Sequence, residues 1–180
     1  GSSITTGAGN DTVVISTGAF TSADSIDAGD GTDTLQLSND ATVIDTDFTL
    51  VKNIETITGG GAGLGLVLTL EDLAQAAGIR TVTLTDVGAA NDDITVSADF
   101  TAALTINTDD SANFKNEIDA SAYVGAGLTV VTKATQIDVQ STADVITGSA
   151  GTDIFEIQID NGANSAVTTS VNTGITKFET

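Results

Sequence analysis

The sequence predicts an all-β fold of stacked coils, a parallel β-helix with one short helix, and three observations predict it. The apolar content is Val, Ile, Leu and Ala with few aromatics, and Thr is plentiful, which favours strands over small layers of stacked aliphatic side chains. Strict alternation marks short strands, most clearly in Thr81-Val82-Thr83-Leu84-Thr85, where Val82 and Leu84 face inward and the threonines outward. Finally, Ile4 to Ile15 (ITTGAGNDTVVI) is matched by Ile26 to Leu37 (IDAGDGTDTLQL), with Asp11 and Asp33 separated by 33 − 11 = 22 residues. That length suits one coil of a solenoid, so the two aspartates are expected on adjacent coils. At about 22 residues per coil the chain makes about eight coils, stacked at about 4.8 Å.

The elements follow in order. Each of the two matched segments is a glycine turn that runs into an alternating strand. Asp40 to Asp47 is polar and acidic and reads as a loop, and Phe48 to Ile57 returns to strand alternation. Gly59 to Gly65 (GGGAGLG) is a glycine-rich loop that fits neither GxGxxG at the right spacing nor the Walker form, so it is not a phosphate cradle. Thr69 to Gly78 predicts the one helix: Thr69 as N-cap, Glu71 and Asp72 in the first turn, Gly78 closing, with Leu70, Leu73, Ala74 and Ala77 on the covered face. Further strands are expected at Ile94 to Val96, Leu104 to Ile106, Leu128 to Val131 and Ile137 to Val139. With 40% hydrophobic residues, the 180-residue chain is long enough for one module with a real core, residues 1–180. The Gly1-Ser2 start and the lack of Met are read as those of a piece cut from a longer repetitive protein.

One pattern carries chemistry. Gly29-Asp30-Gly31-Thr32-Asp33-Thr34-Leu35 places two glycines and a carboxylate in one tight turn, which gathers oxygens. Thr6-Gly7-Ala8-Gly9-Asn10-Asp11 and Gly148-Ser149-Ala150-Gly151-Thr152-Asp153 are near-copies, and Val87 to Thr95, with Asp92, is a worn version. All four fit the nonapeptide GGxGxDxUx. In this the chain resembles the RTX proteins, and looks like RTX-type material of a bacterial surface-layer protein or large secreted adhesin. Asn53-Ile54-Glu55-Thr56 resembles a strand that follows such nonapeptides and returns near the C-terminus at Phe178-Glu179-Thr180, while Ile118 to Ala122 resembles a common turn of these repeats.

The resemblance implies a right-handed parallel β-helix or β-roll whose turns hold Ca2+ through Gly7, Gly9, Asp11, Gly29, Asp30, Gly31, Asp33, Asp92, Gly148, Gly151 and Asp153. It also implies a calcium-stabilised structural module, secreted and held at the cell surface, that associates with identical subunits. The alternative it implies is a spacer or ligand-binding module of a type I secreted adhesin. The residue chemistry agrees with the ion: calcium takes carboxylate and carbonyl oxygens, and the chain holds no His or Cys for a softer metal.

Charge and composition exclude other classes. With 25 acids against five bases the net charge is −20, so nucleic acid and anionic membrane are unsuitable partners. No apolar run reaches the roughly 20 residues that span a bilayer. Asp92-Asp93 and Asp109-Asp110 invite a two-carboxylate glycosidase. Neighbours on a strand point to opposite faces, however, and the chain offers no Trp, no His and a single Tyr. The expectation is therefore no enzyme. Outward threonine rows also suggest a flat face for ice or a repetitive ligand, though Thr is the usual residue of a solvated strand face.

Overall fold

The computed structural model describes residues 1–15, 20–37, 41–59, 65–85, 91–108, 115–133, 145–158 and 175–176, and they form a parallel β-solenoid. Three sheets make its walls. β1 (Ser3–Ala8), β3 (Ser25–Asp30) and β6 (Val51–Lys52) stack in that order. β2 (Thr12–Ile15), β4 (Thr34–Leu37), β7 (Thr56–Gly59), β9 (Thr81–Leu84), β11 (Leu104–Asn107), β13 (Leu128–Lys133) and β15 (Ile154–Gln158) form a seven-stranded sheet. The six-stranded sheet holds β5 (Ala41–Val43), β8 (Leu66–Leu70), β10 (Asp92–Val96), β12 (Asn116–Asp119), β14 (Val145–Thr147) and β16 (Ile175–Thr176). The strand expected at 137–139 lies outside the described residues.

Alternation and register together build the core. Along the seven-stranded sheet one inward rank runs Val13, Leu35, Ile57, Val82, Ile106, Val130 and Phe155, each opposite the next. A second rank, Val43, Leu68, Ile94, Ile118 and Ile146, crosses the six-stranded sheet. Fully burying such a side chain contributes about 1.5–3 kcal/mol. Outside, the intervening residues line up as Thr12, Thr34, Thr56, Thr81, Thr105 and Thr129, so the threonine row is far longer than the Thr81 to Thr85 segment suggests.

Coil length is not constant. The first coils keep the 22-residue spacing, as in Ser3 opposite Ser25 and Thr34 opposite Thr56. Later pairs lie 81 − 56 = 25, 128 − 104 = 24 and 145 − 117 = 28 residues apart. Longer coils use up chain, and the longest sheet therefore has seven rungs rather than eight.

The third wall changes character past β6. In place of a strand it carries α1 (Asp72–Ala77) and then turns whose Phe100 and Tyr123 are fully buried, with ring centroids 6.4 Å apart. Gln75 ties these layers together, since its Oε1 accepts the Thr101 and Ala102 N–H groups at 2.5 and 2.6 Å.

The helix is shorter than the sequence suggests. Thr69 is not its N-cap but a residue of β8, paired with Thr95, because sheet pairing wins over a local capping signal. The cap comes from another coil. Asp45, in the 3-10 turn Asp45–Phe48 of the passage read as a polar loop, is buried and its carboxylate accepts N–H bonds from Glu71, Leu73 and Ala74 at 2.9, 3.2 and 2.8 Å. Those are orphan donors of a helix start. Gly78 closes the helix at φ 112, as expected.

Asp45→Ala strands these donors, one of them buried. It should lower stability by about 1–3 kcal/mol, the cost of a buried unsatisfied group. Urea melts and amide exchange check it: the Leu73 and Ala74 amides should lose protection ahead of Ile106.

Candidate functional site

The glycine turns meet at the corner between the three-stranded and seven-stranded sheets, on the first two coils. Register stacks Gly7 on Gly29, and the Gly9 N–H donates to Asp30 O at 2.7 Å. All four glycines of this corner have positive φ, and packing explains why at two of them. A Cβ on Gly29 (φ 91) would fall 1.7 Å from Gly7 O, and one on Gly31 (φ 157) 2.0 Å from Gly9 O. Stacked coils thus demand glycine here whether or not an ion is bound.

The acids form a ladder beside them. Asp33 Oδ1 accepts the Asp11 N–H at 2.7 Å, and Glu55 Oε2 accepts the Asp33 N–H at 2.8 Å. Asn10 Oδ1 takes the Thr32 N–H at 3.0 Å, and Thr34 N–H returns to Asp11 O at 2.9 Å. Asp33 is fully buried between its neighbours, and its Oδ2 has no hydrogen-bond partner.

Among the described residues no ion pair involves that carboxylate. One coil further, Arg80 gives its backbone N–H to Glu55 O, but its guanidinium turns back to the Ile79 and Gln75 carbonyls. Among the described residues the ion pairs are Lys52–Asp27 (2.8 Å) and Lys115–Glu117, both away from Asp33. The same residues contain no group of three or more acidic side chains already converged as a metal ligand set.

Asp92 and Asp153 stand apart from this ladder. Asp92 opens β10 on the six-stranded sheet, buried, with Oδ1 accepting the Leu66 N–H at 2.6 Å. Residues 87–90 of its worn motif lie outside the described residues. Its sequence neighbour Asp93 is exposed on the opposite face, so the two carboxylates do not form a pair, and Asp109-Asp110 lies outside the described residues. Asp153 precedes β15 as Asp11 precedes β2, yet its carboxylate closes its own turn, accepting the Ser149 N–H (2.5 Å) and Ser149 Oγ–H (2.8 Å). Gly151 donates to Ser149 Oγ at 2.9 Å without entering the left-handed region, and Gly148 is buried beneath. The 148–153 turn is clasped by Ser and Asp, whereas the first two are stacked through glycine. Asp30 is exposed and contributes its carbonyl.

No protein-family model matches this chain, and neither does any curated protein or solved structure. The site therefore rests on its own geometry.

Sequence reasoning missed several side chains that bridge coils. Glu55 was legible, since 55 − 33 repeats the 22-residue spacing. Asp24 was not: its Oδ1 accepts the Ser2 N–H at 2.6 Å and its Oδ2 the Thr21 N–H at 3.0 Å. These bonds, Ser2 first and Thr21 second, hold its carboxyl below the ordinary 3.8.

Two outcomes follow from this geometry. Gly29→Ala should destabilise the chain by more than about 2 kcal/mol, as strain at a special backbone position does, with calcium or with chelator alike; a denaturant melt in each condition checks it. Because folding lowers the Asp24 pKa, its contribution is complete above pH 3.8 and is lost as pH falls through the lower folded value. Asp24→Asn should thus melt below wild type at neutral pH, with the gap closing as the pH drops below 3.8.

Proposed function

We propose that this chain is a calcium-stabilised structural module of a secreted bacterial surface-layer protein, its solenoid supporting assembly with identical subunits. The observation that carries the calcium part is Asp33, a fully buried carboxylate with a partnerless Oδ2, stacked between Asp11 and Glu55 and in no ion pair among the described residues. A buried charge is costly unless paired or coordinated. Calcium is a hard ion that takes 6 to 8 oxygens, and the corner offers Asp11, Asp33 and Glu55 with the carbonyls of two glycine turns. Movement of the half-buried Asp11 and Glu55 carboxylates would complete the set. At −20 net charge, neutralising this corner also relieves repulsion across the compact form.

The runner-up, a spacer or ligand-binding module of a large secreted adhesin, draws support from the outer row of six threonines, a flat repetitive face. Asp92 and Asp93 lie on opposite faces of β10, and we read the module as structural rather than enzymatic.

Calcium bound only to the folded chain adds about 2.7 kcal/mol at a hundredfold excess over Kd. Chelator should therefore lower the Tm and calcium restore it, while sodium at equal ionic strength does not. Asp33→Asn separates ion binding from plain hydrogen bonding. Its amide oxygen still accepts the Asp11 N–H, so it should fold and yet lose most of the calcium response, whereas Asp92→Asn should retain it. A wild-type melt indifferent to chelator defeats the calcium reading.

A further inference from the structure

We infer that Asp30-Gly31 is a site of spontaneous backbone modification, where the folded chain converts aspartate to isoaspartate through a cyclic imide and so unlatches its first coil from its second. This concerns the covalent chain and goes beyond the structural-module reading, whether or not the corner holds calcium.

The chemistry asks for three things at one peptide bond: a carboxyl free to turn, a following amide nitrogen free to attack it, and no side chain in the way. Asp30-Gly31 is the sole Asp-Gly step in the sequence. Asp30 ends β3, and both it and Gly31 are exposed. The Asp30 carboxylate accepts no hydrogen bond from a described residue, and the Gly31 N–H donates to none.

Other aspartates lack at least one of these features. Asp24, Asp33 and Asp92 are buried, with carboxylates already held by N–H groups. Among the exposed ones, Asp119 accepts the Ser121 N–H at 2.9 Å. Asp72, Asp93 and Asp99 precede Leu73, Ile94 and Phe100, whose side chains crowd the attacking nitrogen.

The fold itself maintains the reactive step. Gly31 is demanded by stacking, since a Cβ there would fall 2.0 Å from Gly9 O, so no bulkier residue can shield the bond. The aspartate is not demanded in the same way, because Ala8 holds the matching position one coil earlier.

In the reaction the Gly31 nitrogen attacks Asp30 Cγ, and the amide proton leaves with the carboxyl hydroxyl as water. Water then opens the imide at either ring carbonyl. Breaking the new Cγ–N bond restores aspartate. Breaking the bond from nitrogen to the main-chain carbonyl carbon leaves Gly31 joined through Cγ and frees that carbonyl as a carboxylate, with no net gain or loss of atoms.

The product lengthens the main chain by one carbon, about 1.5 Å, where there is no slack. The Gly9 N–H donates to Asp30 O at 2.7 Å, and Gly29 and Gly31 lie directly against the Gly7 and Gly9 carbonyls. The inserted carbon carries Gly31 off that stack, and with it Thr32, whose N–H bonds Asn10 Oδ1 at 3.0 Å. The first coil thereby becomes a separately opening unit while the later coils keep their ladders.

Incubating the whole chain for weeks at mildly acidic to neutral pH, well below its Tm, tests this. Labelling with an isoaspartyl methyltransferase, followed by peptide mapping, should place isoaspartate at residue 30 at least several-fold above any other aspartate, after a form lighter by one water. Asp30→Ala should abolish that label and keep the fold. The modified chain, separated by chromatography, should lose amide-exchange protection at Gly9 and Thr32 and retain it at Ile106. Absence of label from the folded chain overturns the inference, and a peptide of residues 28–33 that isomerises under the same conditions would then identify the stacked corner as the protection. Equal labelling across the aspartates also overturns it, and unchanged protection at Gly9 in the modified chain overturns the unlatching.

Discussion

A coil that turns a corner must still satisfy its backbone N–H groups, and this requirement shapes the rest of the molecule. Strand ladders serve the flat walls, but at the corners the peptide planes rotate out of register with the next rung. Here side-chain oxygens from adjacent coils fill the gap. Asp24, Asp33, Glu55 and Asp92 accept N–H groups from the coil before, and Asn10, Asp45, Gln75 and Asn91 from the coil after. A carboxylate is an acceptor with no donor of its own, which matches a bare N–H. Part of the acidic composition is thus explained by backbone accounting, before any ion or solubility argument is made.

The same accounting tells apart two features that share one motif. Glycine at 29 and 31 is required by the carbonyls of Gly7 and Gly9 directly above, a steric matter that leaves nothing for an ion to explain. Aspartate at 33 is only half explained by its bond to Asp11, since one carboxylate oxygen remains buried and unpaired. An asparagine would serve the bond as well. The excess is charge, and charge is what a cation answers.

Walls and their facing were legible in the sequence because alternation is local. Val82 and Leu84 inward with Thr81 and Thr83 outward need no knowledge of the next coil. The first coil-to-coil register was legible too, through the 22-residue match of Asp11 and Asp33. Beyond the second coil, legibility fades as spacing drifts to 24, 25 and 28 residues. Asp45 illustrates the loss. Its partners lie 26 to 29 residues ahead, so nothing nearby distinguishes a helix anchor from a loop acid. The error at Thr69 is the mirror image, a sound local capping signal outweighed by pairing with Thr95.

Electrostatics then decides how such a scaffold can be used. Stacking coils brings corner acids to within about one rung of each other, near 4.8 Å, and two of the five basic residues are already committed to Asp27 and Glu117. Each added coil of this type therefore gains backbone bonds and aliphatic contact but also adds like charge along one edge. Arg80, the residue where the ladder of acids stops, shows one intramolecular answer: a cationic residue occupies the next step and the acid run does not extend. At the other side of the ladder stands Asp11, which is half-buried.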